Sequence, residues 1–280
     1  RYIVTGGQDR SVKLWNPFKD DPSDADIGAL LVQEYKGPHA HPVHDVVLSV
    51  DGSRMVSCGG DKGVFMWDMS TARTVRKYFG HNHRVNSVAY NEECTVVVSG
   101  SYDGTVRCWD TKSYNAAPIQ VLDVFGDSVT RVIATAYEIV ASSVDGYVRV
   151  FDMRAGKMRA DNLHDSVASV ALSNDGNCVL VSCLSGGGTM KLLEKSSGDL
   201  LTSYTGHVNS SYHIGACFTN TDAHVCSGGE DGAITFWDLV EASTVSVLKG
   251  HRKAVCSVAY HPKTPMLASA SFDGTVRCWA

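Results

Sequence analysis

The chain has 280 residues, 44% of them hydrophobic, and a formal net charge of −5. That is enough apolar material for a substantial core, while the lack of a basic excess argues against nucleic acid as a direct ligand. The apolar runs are short, such as TVVV ending at Val98, far below the roughly 18 residues that cross a bilayer, so no membrane partner is expected.

Read from its start, the chain opens on YIVTGG, and Thr5, Asp9 and Trp15 follow one another at intervals of 4 and 6. An acidic, Pro- and Asp-rich insertion occupies 16–29 and reads as a solvated loop; its Asp residues lack the spacing and glycine of a calcium-binding loop. Next come His39, Ser57, Asp61 and Trp67, separated by 18, 4 and 6 positions. His81, Ser99, Asp103 and Trp109 repeat the same 18, 4 and 6, as do His251, Ser269, Asp273 and Trp279. His207, Ser227, Asp231 and Trp237 run 20, 4 and 6. Between these stand two decayed copies. One keeps Asp145 but has Asp123, Ala141 and Phe151 at the other positions; the other keeps His164 and Ser182 but has Gly187 and Leu193.

A repeat of about 42 residues in seven copies decides the fold class. Inside each copy, short alternating segments such as VNSVAY, TVVVSGS and TVRCW are separated by Asp-Gly turns, the signature of successive hairpins. No stretch offers a helical period. Four short strands per copy make the blade of a β-propeller, so the expectation is an all-β, seven-bladed propeller forming a single domain over 1–280, its blades set around a central channel. YIVTGG matches a second strand and TVRCW a third, so the first strand of blade one and the last strand of blade seven are missing from this chain. An upstream segment of about 30–40 residues is expected to supply both; without it, strand edges would be open to aggregation.

The four recurring residue types have a physical reason. The Asp belongs in the turn between the second and third strands, where it accepts from backbone amides and the His ring. The His then reaches the Ser, and the Ser meets the Trp indole, so that every buried polar group has a partner. The two decayed copies are expected to be held by packing alone and to open first in hydrogen exchange. A Ser, a His and an Asp together suggest a hydrolase, but a nucleophile must be exposed and faced by an oxyanion site; repetition of the trio in blade after blade points to architecture. His39, His41, His44, His81 and His83 do not form a metal cluster by spacing, and no CxxC pair marks a zinc site among the nine cysteines, which read as small buried thiols. Gly186-Gly187-Gly188-Thr189 lacks the Lys-Ser/Thr of a phosphate loop. No catalytic residue, cofactor, metal or small-molecule substrate is expected.

What remains is surface. The residue before each turn Asp and the loop after each Gly-His face one rim of a propeller. Tyr102 and Phe272 occupy the first kind of position, and His83, Arg84, Arg252 and Lys253 the second. Exposed aromatics beside arginine are frequent anchors of protein interfaces, so these six are the candidate partner-binding residues.

The pairs Gly80-His81 with Trp109-Asp110, Gly206-His207 with Trp237-Asp238, and Gly250-His251 with Trp279 resemble the WD-repeat family. KLWNP, VRKYFGH, VNSVAYNEECTVVVSGS, RCWD, SVDGYVRVFDMRAG, FWDLVE and AYHP resemble, more narrowly, the mitogen-activated protein kinase organizer family, also called WD repeat domain-containing protein 83. The likeness spans nearly the whole chain; the acidic insertion and the missing Asp of the fifth copy depart from it. It implies a non-catalytic scaffold, cytoplasmic and nuclear, with protein partners. Those of the family are components of the extracellular-signal-regulated kinase cascade, a hypoxia-related prolyl hydroxylase and splicing factors. An enzyme working at the channel mouth is the alternative of a different class, disfavoured by the absence of any unassigned acid/base pair there.

Overall fold

The structure is a computed structural model and describes residues 2–19, 28–184 and 187–280. Most of the 16–29 insertion, together with Gly186, lies outside these. The described residues form seven antiparallel sheets whose strands pair in chain order, and no α-helix occurs among them. Five sheets have four strands; the first (from Ile3 to Tyr35) and the seventh (from Val255 to Trp279) have three. The seven sheets are the seven blades of the all-β repeat.

Blade three shows why such segments make strands. Its strands are Val85–Tyr90, Val96–Ser101, Val106–Asp110 and Gln120–Leu122. The second is buried along nearly its whole length, since neighbouring sheets cover both faces, and it accordingly carries three valines followed by the small Ser99, Gly100 and Ser101. Outer strands have one wet face. In blade two the strand Arg73–Phe79 therefore alternates between exposed and more buried positions. A register shift recurs in the first strand of several blades, at Val43/Asp45, Val85/Ser87, Val167/Ser169 and Val255/Ser257. Such a bulge re-aims the side chain of the extra residue. In blades two and three that residue reaches forward to the next sheet: His44 Nδ1 lies 3.2 Å from Val85 O, and Asn86 Nδ2 donates to Val129 O at 2.7 Å.

The chain divides into two compact units, one comprising 1–141 with 150–159 and the other 142–149 with 160–280. In the first unit, Val12, Tyr35, Phe65 and Trp67 fill the space between blades one and two; Met66, Tyr78, Val85 and Trp109 do so between blades two and three. In the second unit, Leu180, Met190, Phe218 and Trp237 join blades five and six, and Ile234, Val255 and Leu267 join six and seven. Each large side chain so buried contributes on the order of 1.5–3 kcal/mol. Close approach also needs a missing side chain: a Cβ on Gly59 would stand 2.1 Å from the Pro42 carbonyl oxygen. All nine cysteines are free thiols.

Candidate functional site

Three quartets are fully hydrogen-bonded. His39 Nδ1 lies 2.7 Å from Asp61 and its Nε2 2.7 Å from Ser57 Oγ, which accepts from Trp67 Nε1 at 2.8 Å. The corresponding distances are 3.0, 2.8 and 2.8 Å for His81, Asp103, Ser99 and Trp109. They are the same for His251, Asp273, Ser269 and Trp279. Each His sits in the connection entering its blade, so the network ties that connection to the turn carrying the Asp. Asp103 also accepts from the Asn82 amide at 2.8 Å, and Asp273 from the Arg252 amide at 3.0 Å. Burial alone would raise the Asp103 carboxyl, yet the His81 and Thr105 hydrogen bonds and the Asn82 amide hold it far below the ordinary carboxylate range. The three imidazoles are 0–1% exposed. No solvent-borne substrate reaches them.

The fourth quartet is not joined. Trp237 Nε1 donates instead to Thr205 O at 2.9 Å, Ser227 Oγ to Gly228 O at 3.0 Å, and neither His207 ring nitrogen has a partner among the described residues. The reason lies in the spacing of 20 rather than 18. Ser227 pairs with Ala216, nine residues after His207, whereas Ser99 pairs with Val88, seven after His81. The longer loop is held by Glu230, one residue before the turn Asp. Its carboxylate accepts from the amides of Ser210, Ser211 and Tyr212 at 2.8, 2.6 and 3.1 Å. Asp231 keeps the Ala233 amide at 3.1 Å.

The two decayed copies correct another expectation. Blade four is not held by packing alone: Arg149 forks onto Asp145 at 3.1 and 2.9 Å, both side chains nearly buried. In blade one, Lys13 pairs with Asp9 at 2.6 Å. In both, a cation four residues after the Asp reaches back to it on the same strand face, as the period of two allows; in blade four, where Asp123 holds the His position, it takes the part of the imidazole as the partner of the carboxylate. In blade five, where glycine replaces the Asp, Lys191 at the same offset donates to Leu163 O at 3.1 Å. His164 there is exposed, with φ 55°, and Ser182 Oγ has no partner among the described residues; with Gly187 at the Asp position, no carboxylate from that position anchors the ring inward.

The candidate rim residues fall into two groups. In the first unit, the Arg84 guanidinium stands 4.5 Å over the Tyr102 ring, and His83 packs on the same ring at 5.3 Å. The backbone fixes this arrangement, since Tyr102 N and Ser101 Oγ both donate to Arg84 O, at 3.0 and 2.8 Å. Tyr102 is 47% exposed. They border a cleft of about 490 Å³ that also takes in His41, His44 and Lys62. In the second unit, Phe272, 44% exposed, packs on Tyr212 at 5.1 Å, and Arg252 and Lys253 are exposed on the neighbouring loop. Sequence reasoning missed Tyr212 and Lys62. The two-residue excess after His207 is the signal for the first, and a Lys where four of the other turns have Gly is the signal for the second.

Repeated four-stranded sheets closed by inward Asp-His-Ser-Trp networks define a WD-repeat protein, a class that generally carries interactions rather than catalysis. The family model described as "WD domain, G-beta repeat" matches residues 1–16, 30–68, 72–110, 198–238 and 242–280. The chain is 42% identical to WD repeat domain-containing protein 83 of Homo sapiens, over 99% of this chain and 84% of that protein. It is 41% identical to the Rattus norvegicus protein of that name over the same shares, and 28% identical to the Dictyostelium discoideum homolog over 99% of this chain and 90% of the relative. The chain belongs to the WD repeat domain-containing protein 83 family.

Proposed function

We propose that this chain is a non-catalytic scaffold that assembles multiprotein complexes, in cytoplasm and nucleus, with no cofactor and no small-molecule substrate. One observation carries the reading: the polar groups able to do chemistry are spent inward, while aromatic and cationic side chains are presented outward. The Ser, His and Asp of the intact quartets satisfy one another in the interior, whereas Tyr102 with Arg84 and His83, and Phe272 with Tyr212, stand in solvent. Rigid aromatic platforms on a scaffold of hydrogen-bonded turns cost little entropy to order against a partner.

Of the two settings implied by the family resemblance, residence in splicing complexes is preferred over assembly of a mitogen-activated protein kinase cascade, because it does not require an animal signalling pathway. Affinity purification of the full-length protein with mass spectrometry, reading splicing factors against kinases, decides between them. The scaffold reading itself is tested by the Tyr102→Ala/Phe272→Ala double variant. Loss of partners with an unchanged melting curve supports it; a folded variant that retains every partner removes these residues from the interface.

A further inference from the structure

The turn residue after the blade Asp is glycine at Gly104, Gly146, Gly232 and Gly274, with φ between 73° and 88°. In blades one and two the same position holds Arg10 and Lys62, with φ 64° and 60°. A residue with a Cβ is strained in this left-handed region, and such strain persists where a side chain is wanted. What Lys62 brings is an ammonium group at the edge of the cleft that Arg84, His83, His41, His44 and Tyr102 also line.

No carboxylate lines that cleft. The acids nearest in sequence are engaged elsewhere. Asp61 accepts from the amides of Ala40 and His41 and meets the rings of His39 and His41; Asp103 faces His81, Asn82 and Thr105; Asp45 accepts from Ser87 and Val88 and pairs with Arg131. Neither Lys62 nor Arg84 forms an ion pair among the described residues. Arg84 is instead stacked on Tyr102, and a guanidinium held by its face keeps its in-plane N–H donors for a planar acceptor.

We infer that this cleft of the first unit docks an Asp/Glu-rich segment of a protein partner, with Lys62 and Arg84 as its paired cationic anchors and Tyr102 as the ring that fixes Arg84. This rests on the scaffold reading and names the chemistry of its partner. One Lys and one Arg on separate turns, with imidazoles between, match several single charges spread along a chain rather than one dianionic phosphate. Nucleic acid is disfavoured by the net charge of −5, and by a single aromatic ring already in contact with Arg84 and His83, which offers no row of open rings for bases to stack on.

Fluorescence anisotropy of labelled hexaglutamate with the full-length protein, at low and at physiological salt, tests the assignment. Saturable binding that weakens with salt is expected. The Lys62→Gly/Arg84→Ala variant should bind roughly tenfold more weakly or worse, with a melting curve no lower than that of wild type, and Lys157→Ala, away from the cleft, should bind as wild type. Lys62→Gly installs the turn residue of blades three, four, six and seven, so a folding defect does not confound the result. No saturable binding, or equal binding by the double variant, overturns the inference. So does stronger binding of dodecauridylate or of a phosphoserine peptide at the same two residues. If hexaglutamate binding fails while the Tyr102/Phe272 variant still loses its partners, this inference falls and the scaffold reading stands.

Discussion

The difference between joined and unjoined quartets yields a sharp stability prediction. Asp103, whose side chain is 4% exposed, meets the His81 ring at 3.0 Å, accepts from the Asn82 and Thr105 amides at 2.8 and 3.0 Å, and accepts from Thr105 Oγ1 at 2.6 Å. Asp103→Ala strips the buried His81 nitrogen and the Thr105 hydroxyl of their acceptor. A buried group left unsatisfied costs about 1–3 kcal/mol, while the exposed Asn82 amide is free to turn to water. The two freed groups lie 3.3 Å apart and can partly satisfy each other, so the loss is about 2–4 kcal/mol, less than the full sum. Asp231, at the same repeat position, accepts only the Ala233 amide at 3.1 Å among the described residues, and Asp231→Ala should cost about 1 kcal/mol. Urea denaturation followed by tryptophan fluorescence at neutral pH measures both. Equal losses, or a larger loss for Asp231→Ala, would refute the claim that the two extra residues after His207 uncouple that network.

Arg149→Ala should cost about 2–3 kcal/mol by leaving a nearly buried carboxylate without its cation, whereas Arg107→Ala, which removes a 3.4 Å contact to Thr105, should cost less than about 1 kcal/mol in the same assay. Lys62→Gly should stabilise the protein by about 0.5–1 kcal/mol through relief of the left-handed turn, read as a higher urea midpoint. Burial lowers the pKa values of His39 and His207 from 6.5, against the opposing pull of Asp61 and Asp231. The unfolded chain therefore binds more protons than the native one as pH falls below 6.5, and stability should decline there by up to about 1.4 kcal/mol per pH unit for each group. His207→Phe should flatten part of that decline in urea titrations across mildly acidic pH. In hydrogen exchange, blade five should open before blade three, since Gly187 supplies no carboxylate and Ser182 Oγ has no partner among the described residues; earlier exchange in blade three would contradict this.

Much of the molecule was legible in the residue spacing alone. Intervals of 18, 4 and 6 required the His to return over one hairpin and the Trp to lie across the next strand, so the repeat settled strand count, turn positions and the partners of three quartets. These are local facts, carried by periods of two and by Asp-Gly turns. What the spacing could not settle depended on distance in space. Arg149 is an ordinary strand cation until the fold shows it forked onto Asp145. A His and a Ser at the right interval, His164 and Ser182, do not meet without a carboxylate to hold the ring. Glu230 replaces Asp231 as the anchor of a loop only because two added residues shift which amides come within reach. The cleft is the clearest case: Lys62, Arg84 and Tyr102 come from three separate turns, and only the packing of adjacent sheets makes them neighbours, because charge and stacking act through space and not along the chain.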